Sequence, residues 1–366
     1  MPRKRHHVNY LKSSQAAAAS SASSSAASSG AVLAAVTLPG QYLPAPGSLL
    51  DVVLQRIANE WDFIRVYDWY NLYHIPSHLK PALMRQLGMS REAGMTIADL
   101  KALLIMPDNE DDLSFRPEQG GNADVDVNAL DLTGCIGKSL RLKDVKELLF
   151  PSASRPPPDE LQDSWDVEAD ASASIPRALL PHLTHVSLAL NPQYARNGSW
   201  RHLLAMAERL SAVTHLSLAY WPEPCLTPNA TLTSVASPQG RSIPYGGTNY
   251  YSHSLDHDWS EALLVLRMLA KSFYELEFLD LTGCVSWFKA LTLRDGHDFV
   301  DWTGHWGKIT QLRLNVGWRL GDDAMPSDII AYDEARQAAA SVERHIISTR
   351  AGRGRFITVE RPSLID

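Results

Sequence analysis

The hexapeptide LDLTGC stands at Leu130–Cys135 and again at Leu279–Cys284. Around each copy, apolar residues fall as L-x-x-L-x-L-x-x-C/N. The pattern occurs as VNALDLTGC (127–135), LTHVSLALN (183–191), VTHLSLAYW (213–221), LEFLDLTGC (276–284) and ITQLRLNVG (309–317). With the middle apolar residue as marker, Leu130, Val186, Leu216, Leu279 and Leu312 stand 56, 30, 63 and 33 residues apart. Two intervals are single periods; the other two are double periods or single ones carrying insertions. Each L-x-L run is a short strand whose apolar side one repeat cannot close alone, so neighbouring repeats must stack to bury it. Helices to cover that side are available in LKDVKELLF (142–150), SWRHLLAMAERL (199–210) and DWSEALLVLRMLAKSF (258–273). The expected fold class is α/β, a solenoid of parallel strands with helices along its convex side.

Alternation along a strand sends the residues between the leucines to the opposite, concave face. One expected row is Asp131, Ser187, Ser217, Asp280 and Arg313. Beside it runs Ala129, His185, His215, Phe278 and Gln311. Exposed on a rigid sheet, such mixed polar and aromatic rows suit protein recognition. The competing expectation is a solvated face, or one covered by the long 221–257 loop.

The rest of the chain divides around this region. Residues 1–40 are expected to be a disordered, basic, Ala/Ser-rich tail, too poor in large apolar groups to build a core. Residues 41–106 turn helical. Leu50, Val53, Leu54, Ile57, Trp61 and Ile64 recur at three- and four-residue steps, and Leu79, Leu83 and Leu87 make a second stripe after Pro76. Thr96 offers an N-cap for a third helix. An acidic linker (107–126) separates this module from the 127–325 repeat region, which carries insertions at 151–175 and 221–257. Residues 326–366 supply a helix, read over Asp333–Arg350, and a closing strand in RFITVE (355–360).

Charge sharpens the picture. The net charge of −7 is confined to two segments, −6 over 107–126 and −6 over 156–170, while residues 1–50 carry +4. The folded body is nearly neutral and offers no basic field for a nucleic-acid backbone. No apolar run approaches the roughly 18 residues that span a bilayer. Three cysteines, far apart, suit a reducing compartment better than a disulfide framework. An intracellular location is expected, in the nucleus or cytoplasm, with a mitochondrial presequence as the alternative reading of the N-terminus.

Catalytic patterns are sparse. His253 and Asp258 form an H-x4-D spacing, in which an Asp-oriented His acts as base on a hydroxyl in glycerolipid acyltransferases. The bland reading makes Asp258 and Glu261 a capping box for the following helix. His253 and His257 would ligate a metal only if helical, and that cap places them before the helix, so no metal is expected. AGRGRF (351–356) lacks the rest of a phosphate loop, and no cofactor is expected. Cys135 and Cys284 occupy the ninth position of the repeat, as Asn191 does in another copy, which favours a structural role over a nucleophilic one.

Two resemblances follow. Ser48-Leu49, Val53 and Ile57, then Ile75-Pro76 and Leu79, resemble the elongin- or F-box-type module that precedes leucine-rich repeats in ubiquitin-ligase substrate receptors, with Val53 where that family has Cys. This likeness implies an adaptor bound through Ser48–Leu87. From about residue 38 to 360, LPGQYLPAPGSLLDVVLQRIA, VTHLSLAYWPEP, SHSLDHDWSEALL and GRGRFITVE are similar to a fungal family of irregular leucine-rich-repeat proteins. Some members carry the label tafazzin, which would imply phospholipid acyl transfer by His253 and Asp258. The leading expectation is a non-enzymatic scaffold that binds a protein partner through the concave face.

Overall fold

The computed structural model describes residues 37–106, 124, 126–151, 178–226, 233–236, 242–245, 259–295, 298–321 and 324–361. At its centre is one six-stranded sheet, all parallel, with the strands side by side in chain order: β1 (Ala129–Asp131), β2 (His185–Ser187), β3 (His215–Ser217), β4 (Phe278–Asp280), β5 (Gln311–Arg313) and β6 (Thr358–Glu360). The register is in phase, so that Leu130, Val186, Leu216, Leu279, Leu312 and Val359 align across the sheet. The first five are at most 1% exposed. All five recurring segments therefore lie where their shared pattern requires. The second leucines, Leu132, Leu188, Leu218, Leu281 and Leu314, are equally buried. Their N–H groups extend the ladder past each strand, as in Leu132 to the Ser187 carbonyl and Leu314 to that of Glu360.

The duplicated hexapeptide is one turn device used twice. Asp131 Oδ1 accepts from the Thr133 N–H at 3.1 Å and from its hydroxyl, and Asp280 Oδ1 accepts from Thr282 at 3.0 and 2.7 Å. The carboxylate thus holds the threonine two residues on, a local side-chain turn. Gly134 and Gly283 follow at φ 74° and 76°, where a side chain would be strained. Cys135 and Cys284 are fully buried, and Cys284 Sγ donates to the Leu218 carbonyl at 3.2 Å. Burial pushes the Cys135 thiol up to about 12 and the Cys284 thiol upward as well. Neither is an activated nucleophile.

Helices line up on the leucine side. The helical segment before the sheet contains α1 (Leu49–Asn59), α2 (Trp61–Tyr67), α3 (Trp69–Leu72), α4 (Lys80–Ser90) and α5 (Ile97–Leu104). Thr96 caps α5, as expected, and Asp99 completes a capping box with it. Between strands come α6 (Leu142–Leu149), α7 (Trp200–Ala207) and α8 (Ser260–Ser272), and α9 (Pro326–Arg350) precedes β6. Helices α5, α6, α7 and α8 pack each against the next. One apolar cluster runs from Leu54 through the repeat leucines to Ile357, so the helical module and the sheet share a core. Within the 221–257 insertion, Thr233–Ala236 and Ser242–Tyr245 pair antiparallel.

Two sequence expectations need correction. Val53 is not on the buried stripe but 42% exposed, because Ala58 at the next helical step takes the core position between Leu54 and Trp61. The last helix begins at Pro326 rather than Asp333, with proline in its first turn and the Asp328 carboxylate accepting the Met325 N–H at 3.3 Å. Its far end is fixed by Arg350, which is buried and donates to the carbonyls of Trp302, Ile309 and Trp306 at 2.9, 2.7 and 2.6 Å.

Candidate functional site

Both rows expected on the concave face are aligned as the register demands, and their side chains are joined into two ladders. In the polar row, the Thr133 hydroxyl lies 2.8 Å from the Ser187 hydroxyl, and Ser217 donates to Asp280 Oδ2 at 2.8 Å. In the other row the rings stack. His185 and His215 lie 4.1 Å apart and 11° from parallel, Phe278 follows at 5.9 Å, and the Arg313 guanidinium sits 5.1 Å over the Phe278 ring. A cation over an aromatic face closes the series. The Thr184 and Thr214 hydroxyls each lie 2.8 Å from Nδ1 of the following histidine. Burial, reinforced by His185, holds the His215 imidazole down to about 4. Burial also lowers His185, partly offset by its hydrogen bond to the Pro39 backbone.

The exposure expected of these rows is not what the fold provides. Asp131, Ser187, Ser217, Phe278 and Asp280 are at most 3% exposed, and Ala129 is buried. His185, His215 and Arg313 are half-buried, and among the row residues only Gln311 is open to solvent. The physical reason is twofold: the polar groups satisfy one another, and a segment of the chain's own N-terminal region crosses the face. Arg313 Nη1 donates to the Thr37 carbonyl at 3.1 Å, and Leu38 is 4% exposed. The Pro39 backbone lies against the His185 imidazole. Gly40, at φ 79°, comes so close that a Cβ there would lie 3.2 Å from His185 Nε2. Gln41 Nε2 donates to Asp131 Oδ2 at 3.1 Å. From Arg313 on β5 to Asp131 on β1, five residues bridge the sheet.

That strap is itself a turn. The Gln41 N–H bonds the Leu38 carbonyl at 3.3 Å, with Pro39 second and Gly40 third at positive φ. This is the type II arrangement that Leu-Pro-Gly-Gln encodes. The turn is legible in the sequence; its landing place on the sheet is not, because nothing local specifies it.

The helical module shows a different surface. Among the described residues eighteen large hydrophobic side chains are exposed, and eight of them fall between Leu49 and Tyr70. Leu49 is 83% exposed, Phe63 62%, Val66 63% and Tyr67 69%, with Val52, Val53, Trp69 and Tyr70 also open. Phe63, Val66 and Tyr67 stand at i, i+3 and i+4 on α2, a helical stripe turned away from buried Trp61. The Phe63 and Tyr67 rings are 4.4 Å apart. A second apolar stripe in WDFIRVY was the available signal, and the reading of one stripe per helix passed over it.

His253 and Asp258 lie outside the described residues, and so does the capping box drawn from Asp258. Helix α8 starts at Ser260, and Glu261 accepts from the Leu226 N–H at 2.8 Å and from Cys225 Sγ at 3.4 Å. Among the described residues no cluster of three or more His, Cys, Asp or Glu is placed to hold a metal, and no helix is long and apolar enough to cross a membrane. Comparison with known proteins finds no matching family model, no matching curated protein and no matching solved structure.

Proposed function

We propose that the chain is a non-enzymatic protein-interaction scaffold, an irregular leucine-rich-repeat arc whose helical module docks a protein partner. The in-phase parallel strands and the row of helices support the repeat reading. The observation that carries the docking reading is the concentration of exposed apolar side chains on α1, α2 and α3. Single exposed leucines are ordinary on a protein surface, but eight large apolar and aromatic groups exposed within Leu49–Tyr70 have the composition of an interface. The adaptor class follows from the Ser48–Leu87 resemblance: a ubiquitin-ligase adaptor of the elongin or F-box-binding type, which would make the arc a substrate receptor.

The test is affinity purification of the full chain from cells, beside a Phe63→Asp/Tyr67→Asp variant. Both side chains are exposed, so the variant keeps its fold and its thermal midpoint. An elongin- or cullin-containing complex that accompanies the native chain and is lost from the variant supports the reading. A native chain that brings down no such complex, or one retained by the variant, overturns it.

A further inference from the structure

We propose that the side-chain face of the sheet is a recognition site for a Leu-Pro-Gly-Gln type β-turn, which Thr37–Gln41 occupies in cis and which a partner protein presenting such a turn would take in trans. The inference concerns a different surface from the helical module and stands whether or not that module binds an adaptor.

The face reads a turn through groups suited to its backbone. The Arg313 guanidinium donates to the Thr37 carbonyl at 3.1 Å, and the His185 imidazole lies at the Pro39–Gly40 backbone. The Thr37 carbonyl has no N–H partner within the turn, whose own bond uses the Leu38 carbonyl. Pro39 cannot donate, so the turn presents an acceptor where the face presents a donor. Gly40 lies against His185 Nε2 with no room for a larger residue to settle unstrained. Leu38 is buried yet stands apart from the main apolar cluster, as does Phe278. The contact is thus a separate small interface laid on the sheet, not an extension of the core. Gln41 supplies the last anchor through Nε2 to Asp131, while its Oε1 is buried with no hydrogen-bond partner. An orphaned acceptor is a cost the strap carries. A partner turn with a better-matched residue at that position has an advantage over it. Beyond the turn the chain is anchored separately, with Tyr42 edge-on to His78 at 5.4 Å, Leu43 against the main cluster and the Gly47 N–H on Asp51 of α1, so Thr37–Gln41 is the part that can lift from the sheet while α1 stays in place.

The experiment uses the full chain and a fluorescent peptide of residues 37–43, TLPGQYL. In a Leu38→Asp/Gly40→Val chain the strap is disengaged, and the peptide binds saturably, about tenfold or more tighter than to the native chain. Adding His185→Ala to that variant weakens binding by about tenfold, as does replacing the glycine of the peptide by valine. A folded strap-disengaged chain that does not bind the peptide overturns the proposal, and so does binding that ignores His185→Ala. Should the double variant fail to fold, a protease site inserted at Pro46 gives the second test. After cleavage of the native strap, labelled peptide exchanges onto the face. Retention of the cleaved segment against excess peptide, or unfolding on cleavage, overturns the proposal by showing the strap to be fixed structure.

Discussion

Arg85 of α4 places its guanidinium 3.4 Å from the Asp131 carboxylate of β1, and both side chains are at most 7% exposed. This buried pair joins the helical module to the first strand. Breaking one member leaves an uncompensated charge in the core. Arg85→Ala is expected to destabilise the chain by about 4 kcal/mol, and Asp131→Asn to recover part of that loss when combined with it. Urea unfolding of both single variants and the double variant measures the coupling. Additive costs would mean that the two groups act independently.

The second LDLTGC copy offers a cleaner polar test, since Asp280 faces hydroxyls and an amide, not a cation. Asp280→Ala removes the acceptor for Ser217 and for both Thr282 donors, and about 3 kcal/mol is expected to be lost. Asp280→Asn keeps one oxygen in place and should cost about 1 kcal/mol. Chemical denaturation distinguishes them; equal costs would show that charge, not shape, holds the turn.

Gly88 on α4 sits where the helix meets the first turn. A Cβ there would lie 2.2 Å from the Thr133 carbonyl oxygen and 2.6 Å from Cys135 Sγ. In an exposed helix, glycine to alanine gains about 1 kcal/mol. At this position the sign reverses, because backbone must move, and Gly88→Ala is expected to cost about 3 kcal/mol. A thermal midpoint equal to or above that of the native chain would show that α4 is free to shift off the sheet.

Acid should loosen the stacked face. The His215 imidazole titrates near 6.5 when the chain is unfolded and at about 4 in the fold. Between these values the unfolded chain binds the additional proton, so stability is full above pH 6.5 and falls as pH drops toward 4. A second charge on His185, only 4.1 Å away, adds repulsion. Thermal melts across this range should show a shallower decline for His215→Phe, which keeps the stack and has nothing to protonate. Parallel profiles for the two chains would locate the acid sensitivity elsewhere.

The leucine spacing carried much of the architecture. Leu130, Val186, Leu216, Leu279 and Leu312 could be aligned from sequence because each must face a shared core, and period-two alternation then fixed which neighbours face away. Alternation says which face a residue takes; it does not say what lies upon it. Asp131 and Phe278 were placed on the right face and given the wrong exposure for that reason. Gln41, far upstream, covers Asp131, the Arg313 guanidinium lies over Phe278, and a Leu-Pro-Gly-Gln turn carries no mark of its destination. The exposed stripe of Phe63, Val66 and Tyr67 was missed for a different cause: only the stripe through Trp61 and Ile64 was traced, and a helix can carry a second apolar face.

The Thr37 carbonyl meets Arg313 across 276 positions of chain. During synthesis the first end of this clasp leaves the ribosome long before the second exists, and so distant a contact closes late. Through that interval only the other end of the strap, Gln41 on Asp131, has its partner. A polypeptide terminated short of Arg313 would keep the anchor at Asp131 and lose the cation that closes the aromatic row, recognisable by a strap held at one end alone.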